Sequence, residues 1–156
     1  MRKTLTTAAT IVAMAAAFAA VALGGSDSAT QRVRIEATGA DPFAFVLRPM
    51  SQGRVRRDTG PMTSCCWSTR HVIRAGARLA VTNPRLTFAG AQGTLTIRNR
   101  IEWVDLPDGW AVVTGTWKVV AGTGTYAELS GHGRVGGVMA ADGYIRVRLF
   151  GSLGSK

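Results

Sequence analysis

Past residue 29 this chain has no long apolar run, no helical periodicity, few acidic residues and only two cysteines. Each scarcity removes a class of protein. A membrane-spanning helix needs roughly 20 apolar residues, and nothing in the remainder supplies them. Helical bundles and Rossmann-type layers need apolar residues at helical spacing, and that spacing is missing. No serine stands in a nucleophile elbow and no HExxH pattern occurs. Gly122-Thr123-Gly124 lacks the lysine and downstream helix of a phosphate loop. The sequence therefore assigns no catalytic residue, no metal site and no cofactor.

The two cysteines are adjacent, Cys65 and Cys66. An ordinary disulfide wants its Cα atoms about 4.4–6.8 Å apart, whereas neighbouring Cα atoms sit about 3.8 Å apart. Three readings stand side by side. The pair closes a strained vicinal disulfide, bridges to another chain, or stays as two thiols, one buried and one exposed, because successive strand residues face opposite sides. Two adjacent thiols lack the usual spacing of metal ligands, with His71 offering at most a third. A structural role is expected rather than a redox one.

What the chain does have begins with its start. Met1, Arg2 and Lys3 precede an alanine-rich apolar run from about Ala8 to Leu23, followed by Gly24-Gly25-Ser26-Asp27-Ser28. These are the three regions of a secretory signal peptide, with Ala20-Val21-Ala22 or Ala22-Leu23-Gly24 as the small-x-small site. The run is short for a retained span, and no cysteine near its exit invites lipid attachment. The expected organisation is a signal peptide over 1–29, an N-terminal segment and first strand over 30–41, a β-barrel over 42–151 and a tail over 152–156. The product is expected outside the cytoplasm, secreted or at the cell envelope, with no membrane span in the mature chain.

The formal charge is +10, and removing residues 1–29 leaves about +9. Such a balance suits anionic partners, here cell-envelope polymers rather than a specific nucleic acid. The arginines are spread over several strands, which favours a solvated polar surface over a dedicated anion-binding one. Only Arg54, Arg56 and Arg57 cluster, with Asp58 directly after.

Period-two alternation recurs through the remainder. Val33 and Ile35 oppose Arg32, Arg34 and Glu36. Phe43, Phe45 and Leu47 form a second run, and Cys65, Trp67 and Thr69 alternate with Cys66, Ser68 and Arg70. The clearest strand is 94–104, with Leu95, Ile97, Ile101 and Trp103 on one face and Thr96, Arg98, Arg100 and Glu102 on the other. Pro107-Asp108-Gly109 and Asp142-Gly143 predict hairpin turns, because these residues tolerate positive φ. On the returning strand Ala111, Val113, Gly115, Trp117 and Val119 point to the core. Residues 49–64 form the longest polar excursion. Seven or eight strands at hairpin spacing predict an all-β domain, an eight-stranded antiparallel barrel, with a two-sheet sandwich as the alternative.

The stretch GTWKVVAGTGTYAELSGHGRVGGV, Gly115 to Val138, leads a strand into a glycine-threonine turn, an aromatic and a glycine-rich returning strand. In this it resembles the barrel shared by allene oxide cyclase and the dirigent proteins. Together with DTGPMTSCCW and GTLTIRNRIEWVD, the likeness spans most of residues 42–151, and more narrowly the chain looks like small secreted bacterial proteins of that barrel class with no established activity. The resemblance implies an apolar barrel interior, which in the plant proteins takes an unsaturated fatty-acid epoxide or a phenolic radical. Cyclase chemistry there uses a buried carboxylate, and Glu102 has outward parity. Dirigent chemistry uses paired acids and a tyrosine, and Asp105, Asp108 and Asp142 sit in or beside turns.

The residues singled out for a ligand are Trp67, His71, Trp110 and Tyr126. His71 shares the parity of Cys65 and Trp67 and is a pocket candidate or a satisfied core histidine. Trp110 follows a turn with parity opposite to Trp117, which places it at a rim. Trp103 and Trp117 read as core. His132, between two glycines, is a solvated turn residue or a general acid-base. Three functions compete. One is a barrel that carries a small apolar or aromatic molecule. The second is a cyclase- or isomerase-type enzyme relying on His71 or the cysteine pair. The third is a basic envelope-interaction protein.

Overall fold

Alternation of apolar and polar residues produces ten strands and a single 3-10 turn, Gly124–Tyr126, in the computed structural model, which describes residues 30–74 and 76–156. The expected signal peptide lies outside the described residues. The strands are β1 (Gln31–Gly39), β2 (Phe43–Pro49), β3 (Asp58–Cys65), β4 (Thr69–Arg74), β5 (Ala77–Thr82), β6 (Arg85–Gly90), β7 (Gly93–Asp105), β8 (Ala111–Gly122), β9 (Leu129–Met139) and β10 (Ile145–Ser155). All pairings are antiparallel. Because β8 pairs with both β9 and β7, the sheet closes into the predicted eight-stranded barrel, formed by β1, β2, β3, β6, β7, β8, β9 and β10. Closure removes the free edges an open sheet would leave.

The barrel is longer than the 42–151 span expected for it. β1 pairs with β10 from Gln31 to Gly39, and residues 152–155, expected as tail, pair with β9 and bury Leu153. The excursion is shorter than expected. Strand β3 already begins at Asp58, and the preceding loop is pinned by Gln31, whose amide donates to the carbonyls of Ser51 and Val55 and accepts from the Val55 N–H.

Both Asp-Gly turns form as predicted. Gly109 and Gly143 take φ of +82° and +84°, and the carboxylates of Asp108 and Asp142 accept from the N–H two residues on, those of Trp110 and Tyr144. On β7, Leu95, Ile97 and Ile101 are buried and Arg98 and Arg100 exposed. On β8, Ala111, Val113 and Trp117 are buried. Each fully buried aliphatic side chain contributes roughly 1.5–3 kcal/mol, and the interior cluster draws on every barrel strand.

One expected run is broken. Cys65, Trp67 and Thr69 do not share a strand, because Cys66 turns the chain at φ +62° and separates β3 from β4. The facing break is at Asn83-Pro84, between β5 and β6, where proline has no N–H to give a ladder. The Asn83 N–H donates to the Ser68 carbonyl and the Asn99 N–H to the Pro84 carbonyl, which holds the break in place. Beyond it β4 and β5 form an arm. β5 pairs with β7 through Ala80, Val81 and Thr82, while β4 pairs with β5 and, among the described residues, with no other strand.

Candidate functional site

The two ends of the barrel differ. At one end the Asp58 carboxylate, only 4 % exposed, accepts hydrogen bonds from the N–H groups of Thr59, Ala91 and Gln92 and from the Tyr126 hydroxyl at 2.9 Å. Burial first, then the bond donated to Asp58 and that residue's charge, holds the Tyr126 hydroxyl well above the ordinary tyrosine range. This end is sealed.

The opposite end is open, and a cavity of about 230 Å³ enters the barrel there. Phe43, Met139 and Ile145 line its mouth, Met62, Leu86, Ile101, Val113, Val135 and Val147 its walls. Trp103 and Trp67 stand at one side with ring centroids 6.3 Å apart and planes inclined by 39°. Trp103 is fixed by its indole N–H, which donates to the Thr82 hydroxyl at 2.6 Å. Trp67, on the Cys66–Ser68 corner, is 51 % exposed. Among the described residues no titratable side chain lines this cavity. Two polar side chains do, Ser64 from β3 and Asn99 from β7.

Of the four residues singled out for a ligand, the structure brings only Trp67 to the cavity. His71 lies exposed on β4, carried away by the arm. Parity failed for it because the strand breaks at Cys66. Trp110 is 39 % exposed beside the β7–β8 turn and does not reach the lining. Tyr126 is at the sealed end, its hydroxyl committed to Asp58. Cys65 and Cys66 are both exposed, their Sγ atoms 2.6 Å apart, so the reading with one thiol buried fails. The Cys66 thiol, by hydrogen bonding, holds the Cys65 thiol above its ordinary range, the opposite of an activated nucleophile. Glu102 points outward as its parity requires, paired with Arg74 at 3.0 Å and Arg100 at 3.2 Å. Among the described residues no group of three metal-ligating side chains gathers, and no helix is long and apolar enough to cross a membrane.

Three residues escaped the sequence reading. Asn99 lies at inward parity between Ile97 and Ile101, a polar interruption in an apolar face. Ser64 has the parity of Met62. Asp58 looked like a counter-charge to its arginine neighbours, and nothing local marks it as buried.

The outer wall shows an arrangement that linear spacing hides. Ladder register places Arg48, Arg34, Phe150, Arg134, Thr116 and Arg100 side by side across six strands. The adjacent row holds Arg32, Ser152, His132, Lys118, Arg98 and Arg85. Neither row contains a carboxylate. Phe150 is 46 % exposed within this band, above a shallow groove shared with Arg32, His132 and Arg134.

Compared with known protein families, with curated proteins and with solved structures, the chain matches none.

Proposed function

We propose that this protein binds and carries a small apolar or aromatic molecule in the mouth of its barrel, beside Trp67. The observation that carries this reading is the 230 Å³ cavity with its apolar walls. An engineered apolar cavity of about 150 Å³ accepts benzene, while drug-sized pockets begin at about 300 Å³. A substituted single ring or a short branched chain is the size that fits. The likeness to allene oxide cyclase and dirigent barrels also supports an apolar guest. Among the described residues no titratable group lines the cavity, which favours carriage over the cyclase or isomerase chemistry of those enzymes, since that needs a positioned acid or base. Export by residues 1–29 belongs to the same proposal and puts the carrier outside the cytoplasm.

The test is a titration with p-cymene followed by tryptophan fluorescence, since Trp67 and Trp103 border the cavity. A saturable change is expected. Trp67→Ala should weaken binding about tenfold, the loss of one aromatic anchor. Met139→Trp, which fills the mouth, should abolish it. No saturable change in the wild type, or equal binding by Met139→Trp, overturns the reading.

The outer band supports a second reading, adhesion to an anionic envelope polymer, compatible with the first. With heparin as the probe polyanion, affinity should fall steeply with salt by counterion release and screening. Replacing Arg98, Lys118 and Arg134 by serine should reduce the slope of log affinity against log salt by about 2 to 3. An unchanged slope rejects the band as a binding surface.

A further inference from the structure

Basic side chains stand directly opposite one another on the outer wall. Arg98 faces Lys118 across β7 and β8, and Lys118 faces His132 across β8 and β9. Like charges opposed in this way destabilise a sheet, and no carboxylate relieves them. The ion pairs among the described residues use Glu36 and Glu102 and leave Arg32, Arg98, Lys118 and Arg134 without an acidic partner. The wall is also dented there. Arg98, Arg100 and Lys118 surround a depression of about 160 Å³ together with Asn83 and Thr116. Thr116 also borders the shallow groove of Arg32, Met50, His132, Arg134 and Phe150. The two depressions therefore meet at Thr116 and make one furrow across β7, β8, β9, β10 and β1. Four interstrand steps give it a length of about 19 Å. Among the described residues, every charged side chain that lines it is basic.

We propose that this furrow seats a single flexible chain of an acidic glycan, with carboxylate or sulfate groups at its two basic ends and one sugar ring against Phe150. This rests on the adhesion reading above and names the class of polymer. Guanidinium groups suit such anions, because their planar forks donate two parallel hydrogen bonds. Phe150 and Met50, 46 % and 52 % exposed, offer an apolar contact between the charges, which the face of a sugar ring can fill. A nucleic-acid strand stacks successive bases on several aromatics, whereas among the described residues Phe150 is the one exposed aromatic along the furrow. A flat bilayer does not reach both depressions, because the wall of an eight-stranded barrel curves away between them.

A heparin octasaccharide and a heparin disaccharide are the probes, with affinities measured by calorimetry. The octasaccharide reaches both depressions and should bind about tenfold or more tighter than the disaccharide, which reaches one. Arg98→Ser in one depression and Arg32→Ser in the other should each weaken the octasaccharide about tenfold, the loss of a charge-assisted hydrogen bond. Arg48→Ser and Arg85→Ser remove the same charge from the same band outside the furrow and should cost about twofold or less. Phe150→Ser should weaken binding about fivefold with an unchanged salt slope, since the ring makes no ionic contact. The His132 ring signals in NMR spectra of the wild type give a readout that needs no substitution, and they should shift on saturation with the octasaccharide. Equal losses at all four arginines, or unmoved His132 signals, mean a diffuse field of cations and overturn the furrow while leaving the adhesion reading intact. Tighter binding of an oligothymidylate of matched charge overturns the glycan in favour of a nucleic-acid strand. Failure of both intact heparin and the octasaccharide to bind wild type at low salt defeats the adhesion reading itself, and this inference with it.

Discussion

Asp58→Ala is expected to destabilise the barrel by about 3–5 kcal/mol, lowering its melting temperature by roughly 10–20 °C. The carboxylate is the shared acceptor for three backbone N–H groups and the Tyr126 hydroxyl. Alanine leaves those donors facing a small apolar gap, and each unsatisfied buried donor costs about 1–3 kcal/mol unless water enters. The damage should spread along the loop before β3. The Gln92 N–H is one of the orphaned donors, and the Gln92 side chain holds the Arg56 N–H and the carbonyls of Arg56 and Arg57. Trypsin should therefore cleave at the exposed Arg54, Arg56 and Arg57 faster in the variant. Tyr126→Phe removes one donor and leaves the carboxylate its backbone partners, so its cost should be smaller, about 1–2 kcal/mol. Tyr126→Phe should also flatten the loss of stability in alkali. The folded hydroxyl titrates above its ordinary value of 10.0, so its contribution is full below about pH 10 and drains away as pH climbs toward the folded value. Thermal melts of both variants across pH 7–11 decide the matter. An Asp58→Ala barrel within about 1 kcal/mol of wild type would show that the carboxylate is not what seals this end.

The barrel was legible because strand alternation and Asp-Gly turns are local signals. Ile97 and Ile101 declare a face, and Asp108-Gly109 and Asp142-Gly143 declare where the chain reverses. The candidate site was less legible, for a different reason in each case. His71 and Trp67 share a face only on a strand continuous through Cys66, and the chain turns there. Positive φ at a cysteine is not encoded by residue type, and it sends His71 out on the arm while leaving Trp67 at the mouth. Tyr126 follows a turn, where parity carries no information about which end of a barrel a side chain seals. Its partner Asp58 is 68 positions away in the chain. The basic band is the clearest non-local case. Arg34, Arg134 and Arg100 are far apart in sequence and become neighbours through ladder register alone. Asn99 is the opposite, a signal present in the alternation, since a polar residue between two buried isoleucines on an inward face asks for a partner.

Gly133→Val is expected to prevent barrel closure altogether, leaving protein that is insoluble or lacks the near-ultraviolet signature of packed tryptophan. The reason lies in the glycine-rich stretch from Gly115 to Val138. On β8 the Trp117 indole points inward and is 2 % exposed, and its N–H donates to the Arg134 carbonyl at 3.2 Å. The ring lies across Gly133 and its ladder partner Gly151 on β10. A Cβ at Gly133 would stand 2.0 Å from the Phe150 carbonyl oxygen and 2.6 Å from the indole nitrogen, and one at Gly151 would stand 2.2 Å from the His132 carbonyl oxygen and 2.4 Å from the indole Cζ2. In both cases the nearer obstacle is backbone, which cannot rotate aside, so β9 and β10 would have to part along the strands that close the sheet. The expected cost exceeds the 1–3 kcal/mol of ordinary overpacking and is comparable with the whole stability of a small domain, about 5–15 kcal/mol. Removing the indole should not repair it: Gly133→Val with Trp117→Leu should fold no better, because the carbonyl clash remains. Trp117→Leu alone should fold, weakened by about 2–4 kcal/mol for the lost ring. Circular dichroism and soluble yield of the three variants separate these outcomes. A soluble, cooperatively melting Gly133→Val barrel, or its rescue by Trp117→Leu, would mean that the glycines serve the indole alone and not the close approach of the two strands.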